Sequence, residues 1–256
     1  MGALYRRRRI RRFYEKGKDR DIEDDIIREN HLIIRLDGED FLRAVVSPSL
    51  IKEFVLGFLL TRGMIDGLQD VSSLEISADT ASVARSPSRR GALPQLDLLE
   101  STGTRNMALE HLPLIAGRLS GSALRVSAEV LIKGMRMLSE MPLYKRTGGT
   151  HCAILFSPAG DPIFSAEDIG RHNAVDKAIG GGLTQSIDFG HCWLAVSGRL
   201  PADMVFKPLV AGIPLVASLS AATSDGIEIG ERAGLTIVGF ARGDRFNCYC
   251  HPERII

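Results

Sequence analysis

Several features that mark other protein classes are scarce or missing in this sequence. Four cysteines among 256 residues show no regular spacing, which excludes a disulfide framework and indicates a reducing, cytoplasmic compartment. No apolar run approaches the roughly 20 residues that a membrane-spanning helix needs. The net charge is only +1, so no overall field favours nucleic acid or an anionic membrane. We therefore expect neither of them as a partner.

The first 30 residues separate positive from negative charge. Arg6–Arg9, Arg11 and Arg12 precede an acidic run, Asp19–Asp25. No apolar stretch follows the arginines, so they do not begin a secretory signal. We interpret the segment as a solvated or partly frayed arm that pairs with its own opposite charge. A nucleic-acid-binding arm is the alternative, but aromatic residues are not interleaved with the arginines.

The rest of the chain has the composition of a soluble globular protein, with 45% hydrophobic and 25% charged residues. Its length allows one large domain or two smaller ones. The patterning divides the chain into a charged arm over 1–30, a small α+β domain with a linker over 31–106, and an α/β domain over 107–256.

The small domain opens with a hairpin signal. Leu32–Leu36 and Phe41–Val46 are predicted strands around the turn Asp37-Gly38. A helix is expected from about Ser47-Pro48 to Gly63, with its apolar face in the core and no chemistry in it. The later patterns predict paired strands at 71–77 and 81–84, a loop over 86–94, a helix over 107–118, and a second helix that Ser127 caps.

From His151 onward, apolar runs alternate with short helical patterns. Such alternation indicates a largely parallel sheet with helices on both faces. The first two strands are close enough to form an antiparallel hairpin, so we expect a three-layer α/β domain with a mixed sheet. The predicted strands are 151–156, 162–166, 192–196, 214–218 and 235–240, and the predicted helices are 171–179, 202–210 and 224–232.

Polar clusters follow the last three of these strands. In open α/β sheets, the carboxyl ends of the strands form the ligand crevice. The arginines of the clusters carry planar forks suited to phosphate or a guanine edge, and the glycines beside them permit close approach to the backbone. The serines, with Thr223, either donate hydroxyls to a ligand or cap the next helix. The clusters are Ser197-Gly198-Arg199, Ser218-Leu219-Ser220 and Arg242-Gly243-Asp244-Arg245.

These clusters indicate an anionic, nucleotide-like ligand, although the sequence has no P-loop and no dinucleotide-binding glycine motif. The richest polar run, EDIGRHNAVDK over 167–177, lies nearby in the sequence. Helical spacing places His172 four residues before Asp176 and Asn173 four before Lys177. These pairs are either ordinary helix-surface contacts or part of a site. The glycine before Arg171 permits a helix N-terminus that attracts phosphate or carboxylate, and we interpret the run as a functional site.

A metal centre has little support in the sequence. Zinc deaminases carry His-x-Glu followed by Pro-Cys-x-x-Cys. Here Ala153 stands two residues after His151, and no Cys-x-x-Cys occurs. Cys248, Cys250 and His251 are close together, but Cys-x-Cys-His is not a standard zinc spacing. We therefore predict no metal site.

Several of these runs together resemble the FdhD family of formate dehydrogenase accessory proteins. They are GGTHCAIL, EDIGRHNAVDKAIG, SGR, SLSAAT and GFARGDRFNCY, and LIIRLDGEDFLRAVVSP and LGFLLTRGMI near the N-terminus are also similar. The similarity covers about residues 25–256. It implies a C-terminal domain similar to the cytidine-deaminase fold and a homodimer.

The resemblance also implies a function. In this family a cysteine desulfurase donates sulfur to an FdhD cysteine as a persulfide, and the sulfur passes to the bis-molybdopterin guanine dinucleotide cofactor of formate dehydrogenase. GDP should act as a partial mimic of that cofactor. The segment that matches the family's guanine-nucleotide contact is Phe240, Ala241, Arg242, Gly243, Asp244 and Arg245. The further cofactor contacts that we expect are His151, Asp168, Arg171, His172, Lys177, Arg199, Lys207, Ser220 and Thr223.

One departure from the family concerns sulfur. The family usually carries Cys-Gly-x-Cys-Gly in its interdomain linker, whereas residues 100–107 read ESTGTRNM and no cysteine occurs between Gly91 and His151. Threonine cannot form a persulfide. Cys152 and Cys192 lie in apolar runs typical of inert core thiols, and Cys152 is the catalytic candidate only because His151 adjoins it.

Two functions therefore stay open. The first is a sulfurtransferase that serves formate dehydrogenase, with the enzyme and the desulfurase as partners. The second is a chaperone of the same family that binds and delivers the cofactor without carrying sulfur. A metal-dependent hydrolase lacks its glutamate and its cysteine pair, and a nucleic-acid binder rests only on the N-terminal arginines.

Overall fold

The computed structural model describes residues 4–89, 117 and 119–256. The strands form a two-stranded, a four-stranded and a six-stranded sheet. Most of the predicted helix over 107–118 lies outside the described residues, as do the linker and most of the predicted loop over 86–94. The division into domains stays a prediction.

The charged arm folds back on itself as an antiparallel hairpin. β1 (Tyr5–Arg12) pairs with β2 (Arg20–Ile27) in a register that sets arginines opposite acids. Arg7 Nε, for example, lies 3.1 Å from Asp25 Oδ1. The arm does pair with its own opposite charge, but as two hydrogen-bonded strands and not as a frayed segment.

The four-stranded sheet has the strand order β4-β3-β6-β5. Asp37 and Gly38 join β3 to β4 with φ of 54° and 96°, and positive φ at both positions is what a type I′ turn requires. This confirms the predicted hairpin. The strands are β3 (Asn30–Leu36), β4 (Glu39–Val46), β5 (Val71–Ile76) and β6 (Thr80–Arg85).

α1 (Ile51–Thr61) begins later than the predicted start at Ser47-Pro48. Leu50, which precedes the helix, has a left-handed conformation with φ 53°. Ser47 does not begin the helix, because its backbone N and its Oγ both donate to Asp168. Gly63, with φ 67°, follows the end of the helix as predicted. Phe54, Val55, Leu56 and Leu59 are fully buried.

The six-stranded sheet has the order β12-β11-β10-β9-β7-β8 and is mixed, as predicted. β9, β10 and β11 are mutually parallel, whereas β7 runs antiparallel to both β8 and β9, and β12 antiparallel to β11. β12 was not predicted, because the polar run before it resembled a strand-end cluster. The strands are β7 (His151–Phe156), β8 (Pro162–Asp168), β9 (Trp193–Val196), β10 (Leu215–Ser218), β11 (Thr236–Arg242) and β12 (Arg245–Cys250).

Helices cover both faces of this sheet. On one face, Leu131 and Met135 of α2 share a core with Phe156 and Trp193, whose rings stack at 4.5 Å. Ser127 caps α2 as predicted, since its Oγ accepts from Val130 N. The other face carries α4, α5 and α6. The helices are α2 (Ala128–Met137), α3 (Pro142–Thr147), α4 (Arg171–Thr184), α5 (Ala202–Ala211) and α6 (Ser224–Ala233).

α1 and α4 cross at glycines, so that their backbones touch. A Cβ on Gly57 would lie 1.8 Å from Asp176 O, and a Cβ on Gly180 would lie 1.9 Å from Glu53 O. One hydrophobic core runs through this crossing from the four-stranded to the six-stranded sheet. The crossing places the end of α1 next to the polar run of α4. Within the described residues, no helix has both the length and the apolar composition needed to cross a membrane.

Candidate functional site

The polar strand ends meet at one edge of the six-stranded sheet. Because β9, β10 and β11 are parallel, Ser197, Ser218 and Arg242 lie at the same ends of neighbouring strands. β7 runs the opposite way, and its first residue, His151, pairs with Asp168 at the end of β8. The structure thus brings these five positions to one side, as the strand pattern predicts, and we call this side the site edge.

A pocket of about 170 Å³ opens at the β11 end of the site edge. α2 forms one wall of the pocket, and the ends of β10 and β11 form the other. Apolar side chains and two guanidinium groups line the pocket, and guanidinium groups bind anionic groups and other hydrogen-bond acceptors. The lining residues are Ile132, Met135, Arg136, Ser139, Leu219, Ala241, Arg242 and Gly243.

Hydrogen bonds hold the strand-end wall of this pocket in place. Arg242 Nε donates to Leu219 O at 2.5 Å, and Arg136 Nη2 donates to Gly243 O at 3.0 Å. Phe240 has a left-handed φ of 50°, yet its side chain is 44% exposed. Residues in such sparsely populated conformations persist where the surrounding structure holds them, often at binding sites. Arg242 therefore has only part of its fork free for a ligand.

His151 is a neutral hydrogen-bonding group at the centre of the site edge. Its Nδ1 lies 3.1 Å from Ser197 Oγ, which itself accepts from Cys152 N at 3.0 Å. The serine hydroxyl can then donate to Nδ1, which leaves the imidazole proton on Nε2. Burial, followed by the nearby Arg171 charge, lowers the pKa of His151. The ring is therefore set up to donate a hydrogen bond at neutral pH.

Asp168 and Lys177 are joined in a fully buried ion pair. Lys177 Nζ lies 2.6 Å from Asp168 Oδ2, and both side chains are 0% exposed. Lys177 also donates to Ser47 Oγ at 2.7 Å, and Asn173 Nδ2 donates to Asp168 Oδ1 at 3.0 Å. No surface of either charge is left for a ligand. They join the polar run of α4 to the segment before α1, and their contact with a cofactor stays a prediction.

A second buried pair involves Asp176, which directly precedes Lys177 on α4. Lys207 Nζ donates to both carboxylate oxygens of Asp176 at 2.6 Å, and Thr61 Oγ1 donates to Asp176 Oδ1 at 2.8 Å. Lys207 is 4% exposed. Its contact with a cofactor likewise stays a prediction.

The predicted partners within α4 are also replaced by partners on other helices. His172 Nε2 lies 3.3 Å from Asp203 Oδ2 of α5, and Asp176 pairs with Lys207 of α5. Burial, followed by the charges of Lys207 and Arg171, lowers the pKa of His172 to about 3. The i, i+4 pairs His172–Asp176 and Asn173–Lys177 do not form, because Asp203 and Lys207 of α5 and Asp168 at the end of β8 supply nearer partners.

Of the remaining predicted residues, some are exposed to solvent and others make hydrogen bonds within the fold. Arg199 and Arg245 are exposed, as is Asp244 between the two strands of the β11–β12 hairpin. Thr223 Oγ1 accepts from Gly226 N and so caps α6. Ser220 N donates to Ser218 Oγ, which is part of the turn after β10.

Gly198 has a packing role that differs from the one expected. A Cβ there would lie 2.9 Å from Arg171 Cβ, so the side chain of Arg171 occupies the space in which a ligand was expected to approach the backbone. The half-buried Arg171 thus lies along the loop after β9. The sequence analysis assigned no site role to Arg62, Ser47 or Arg136. Ser47 contacts Asp168, Arg136 lines the pocket, and Arg62 lies near His172, although each comes from a distant element.

The chain is similar to proteins of one family. The sequence profile of the FdhD/NarQ family matches residues 27–256. The chain belongs to this family. Sulfur carrier protein FdhD of Methanothermobacter thermautotrophicus is 35% identical over 256 residues, which cover 99% of this chain and 100% of that one. Sulfur carrier protein FdhD of Sulfurisphaera tokodaii is 36% identical and covers 97% and 99% respectively.

A solved FdhD-like structure shares the fold. The crystal structure of a candidate formate dehydrogenase accessory protein from Desulfotalea psychrophila has a TM-score of 0.80, with 99% of this chain and 100% of that chain covered. Its sequence identity is 24%, so the likeness concerns the fold alone. The mixed α/β architecture is thereby shown for this member of the family.

The thiols of this FdhD/NarQ protein are shielded. Cys152 is 2% exposed, and burial, followed by the charge of Glu167, raises its pKa to about 12. Burial likewise raises the pKa of Cys192 and of Cys250 to about 12. Cys248 is half-buried, and burial raises its pKa too. At neutral pH these groups are thiols and not thiolates, which argues against Cys152 as a sulfur acceptor.

The C-terminal Cys-x-Cys-His cluster does not gather metal ligands. Cys250 Sγ donates to Leu235 O at 3.1 Å, and His251 Nε2 lies 2.9 Å from Glu231 O. Across residues 4–89, 117 and 119–256, no three His, Cys, Asp or Glu side chains come together as a metal site would require. The linker in which the family's cysteines usually stand lies outside the described residues.

Proposed function

We propose that this FdhD/NarQ protein binds the bis-molybdopterin guanine dinucleotide cofactor for delivery to formate dehydrogenase, with a guanine base in the pocket between α2 and the end of β11. The observation that carries the proposal is that pocket, bounded by Met135, Ala241 and Arg242. It lies at the carboxyl end of a parallel strand, where α/β sheets bind nucleotides.

The size of the pocket supports a base and not a whole nucleotide. Its volume of about 170 Å³ is smaller than the roughly 300–1,000 Å³ that encloses an entire drug-sized ligand. A guanine ring would lie against the apolar residues of α2, while the diphosphate and the pterin extend along the site edge. The exposed Arg199 and Arg245 supply positive charge there.

Sulfur transfer is the second candidate function. The relatives named sulfur carrier protein FdhD favour it. The buried thiol of Cys152 and the linker without cysteine favour binding and delivery alone. We therefore propose a cofactor-binding chaperone that does not hold a persulfide on Cys152. A fold similar to cytidine deaminase, a homodimer, a cysteine desulfurase partner and a cytoplasmic location belong to this proposal as implications of the family.

Calorimetry with GDP tests the binding proposal. The wild-type protein should bind GDP, and both Arg242→Ala and Arg136→Ala should weaken binding about tenfold, because each removes a charged donor. Lys133→Ala is the matched control, since Lys133 is exposed on the same helix and does not line the pocket. GDP affinity that is absent, or that is equal in the wild type and both pocket variants, would exclude this site.

Intact-protein mass spectrometry separates the two candidate functions. The protein is incubated with a cysteine desulfurase and cysteine, and its mass is then compared with that of untreated protein. The chaperone function predicts no added sulfur atom on the folded protein. A gain of one sulfur that Cys152→Ala abolishes would establish the transfer function in its place.

A further inference from the structure

Three unpaired polar atoms belong to residues at the start of α4 and just after α1 that are near one another, since the charges of Arg62 and Arg171 both act on His172. Among the described residues, four buried side-chain nitrogen or oxygen atoms have no hydrogen-bond partner, and three of these are Arg62 Nη1, Arg171 Nε and His172 Nε2. Buried polar atoms in folded proteins nearly always have a partner, so each exception calls for an explanation. Three exceptions at one place indicate a common cause.

The structure brings these three residues to one junction of helices. Arg62 directly follows α1, and its neighbour Thr61 donates to Asp176 of α4. His172, in the first turn of α4, lies 3.3 Å from Asp203 of α5 but makes no hydrogen bond to it. The pairing of α4 with α5 through buried charges holds the junction together, and the α1–α4 glycine crossing sets its distance.

Charge at this junction favours an anion. Among the described residues, the cations Arg62, Arg171 and Lys207 act on His172, whereas two carboxylates, Asp176 and Asp203, act on Arg62. Asp176 is already occupied by a lysine and a hydroxyl, so neither guanidinium can use it fully. The unpaired guanidinium atoms are donors, and a neutral histidine can donate as well. The missing partner must therefore be an acceptor, and the charge surplus selects a negative one.

We propose that Arg62, Arg171 and His172 form a subsite for a phosphate group. The proposal rests on the function proposed above, because the expected source of the phosphate is the diphosphate of the guanine nucleotide. The junction lies on the face of the six-stranded sheet that carries α4 and α5, and the base pocket lies on the α2 face, so a bound diphosphate would cross the site edge between them. Arg62 is then a ligand-binding residue at the end of α1, the helix for which the sequence predicted only core packing.

The test compares GDP, guanosine and inorganic phosphate as three calorimetric probes. In the wild type, GDP should bind about tenfold more tightly than guanosine, since the subsite adds charge-assisted hydrogen bonds. Arg62→Gln should abolish most of this difference and leave guanosine affinity unchanged. Arg43→Gln, which removes an exposed arginine of β4, should keep the difference.

The three probes distinguish the possible failures. A GDP-to-guanosine ratio that Arg62→Gln leaves intact overturns the subsite but not the base pocket. If guanosine does not bind, the base pocket fails, and inorganic phosphate then decides: binding that Arg62→Gln abolishes supports the subsite, whereas no binding overturns it. Inorganic phosphate bound as tightly as GDP identifies free phosphate as the ligand in place of the nucleotide.

A folding measurement separates ligand binding from structural support. Because an unpaired buried donor costs free energy, Arg62→Gln should leave the ligand-free protein as stable as the wild type or more stable. Added phosphate should raise the melting temperature of the wild type but not that of the variant. A variant that melts far below the wild type without ligand, and responds to phosphate equally, would show that Arg62 only supports the fold.

Discussion

The stability of the protein should depend on the protonation of His172. Burial and the cations around it hold the pKa of this residue near 3, against an ordinary value of 6.5. Between these values the unfolded chain binds a proton that the folded chain does not, so lowering the pH favours unfolding. The stabilising contribution is complete above the ordinary value and is lost as the pH falls toward 3. Each pH unit in this window corresponds to about 1.4 kcal/mol of the unfolding free energy.

Urea unfolding of the wild type and of His172→Gln measures this contribution. From about pH 7 to about pH 5, the wild type should lose about 2 kcal/mol more than the variant, which has no proton to bind. The lowered pKa of His151 acts in the same direction in both proteins and cancels in the comparison. An equal loss in the two proteins would mean that His172 titrates normally and that the junction around it is open to water.

Three further predictions concern the buried network, the helix crossing and the thiols. Lys177→Met leaves Asp168 buried without its cation and should cost about 3–5 kcal/mol in urea unfolding; a cost near zero would contradict the ion pair. Gly57→Ala should lower the free energy of unfolding by about 1–3 kcal/mol or more, since the added Cβ would lie 1.8 Å from a carbonyl oxygen. Gly121→Ala, with open space around it, should leave that free energy nearly unchanged. In the folded protein, a thiol reagent should modify Cys248 first; equal reactivity of the other three thiols would refute their burial.

Much of the fold follows from local patterns. The strands of the six-stranded sheet up to Thr236–Arg242 were expected from apolar runs, and Asp37-Gly38 indicated the hairpin turn of the four-stranded sheet. β12 was missed because its approach, Arg242–Arg245, has the polar residues of a ligand loop and the turn residues of a hairpin at once. Hydrophobic periodicity and residue propensity do not distinguish a ligand-binding loop from a hairpin turn.

The partners of the charged residues were harder to predict. Spacing along α4 suggested that Asp176 pairs with His172, whereas Lys207 and Thr61 occupy it. Those contacts depend on how closely α1 approaches α4, and that distance is set by Gly57 at the crossing. In a single sequence, nothing distinguishes a glycine at a helix crossing from any other glycine. The long-range pairs that depend on the crossing could therefore not be predicted. The same limit hid the role of Arg62.

The central claim is that this protein carries the molybdenum cofactor, and the content of the purified protein tests it most directly. Protein isolated from cells that make the cofactor is analysed for molybdenum by mass spectrometry and for guanine nucleotide released by hydrolysis. We predict bound molybdenum with two guanine nucleotides per metal atom, and a loss of both in Arg242→Ala but not in Lys133→Ala. Protein that contains neither molybdenum nor guanine, or equal amounts in both variants, would contradict the claim.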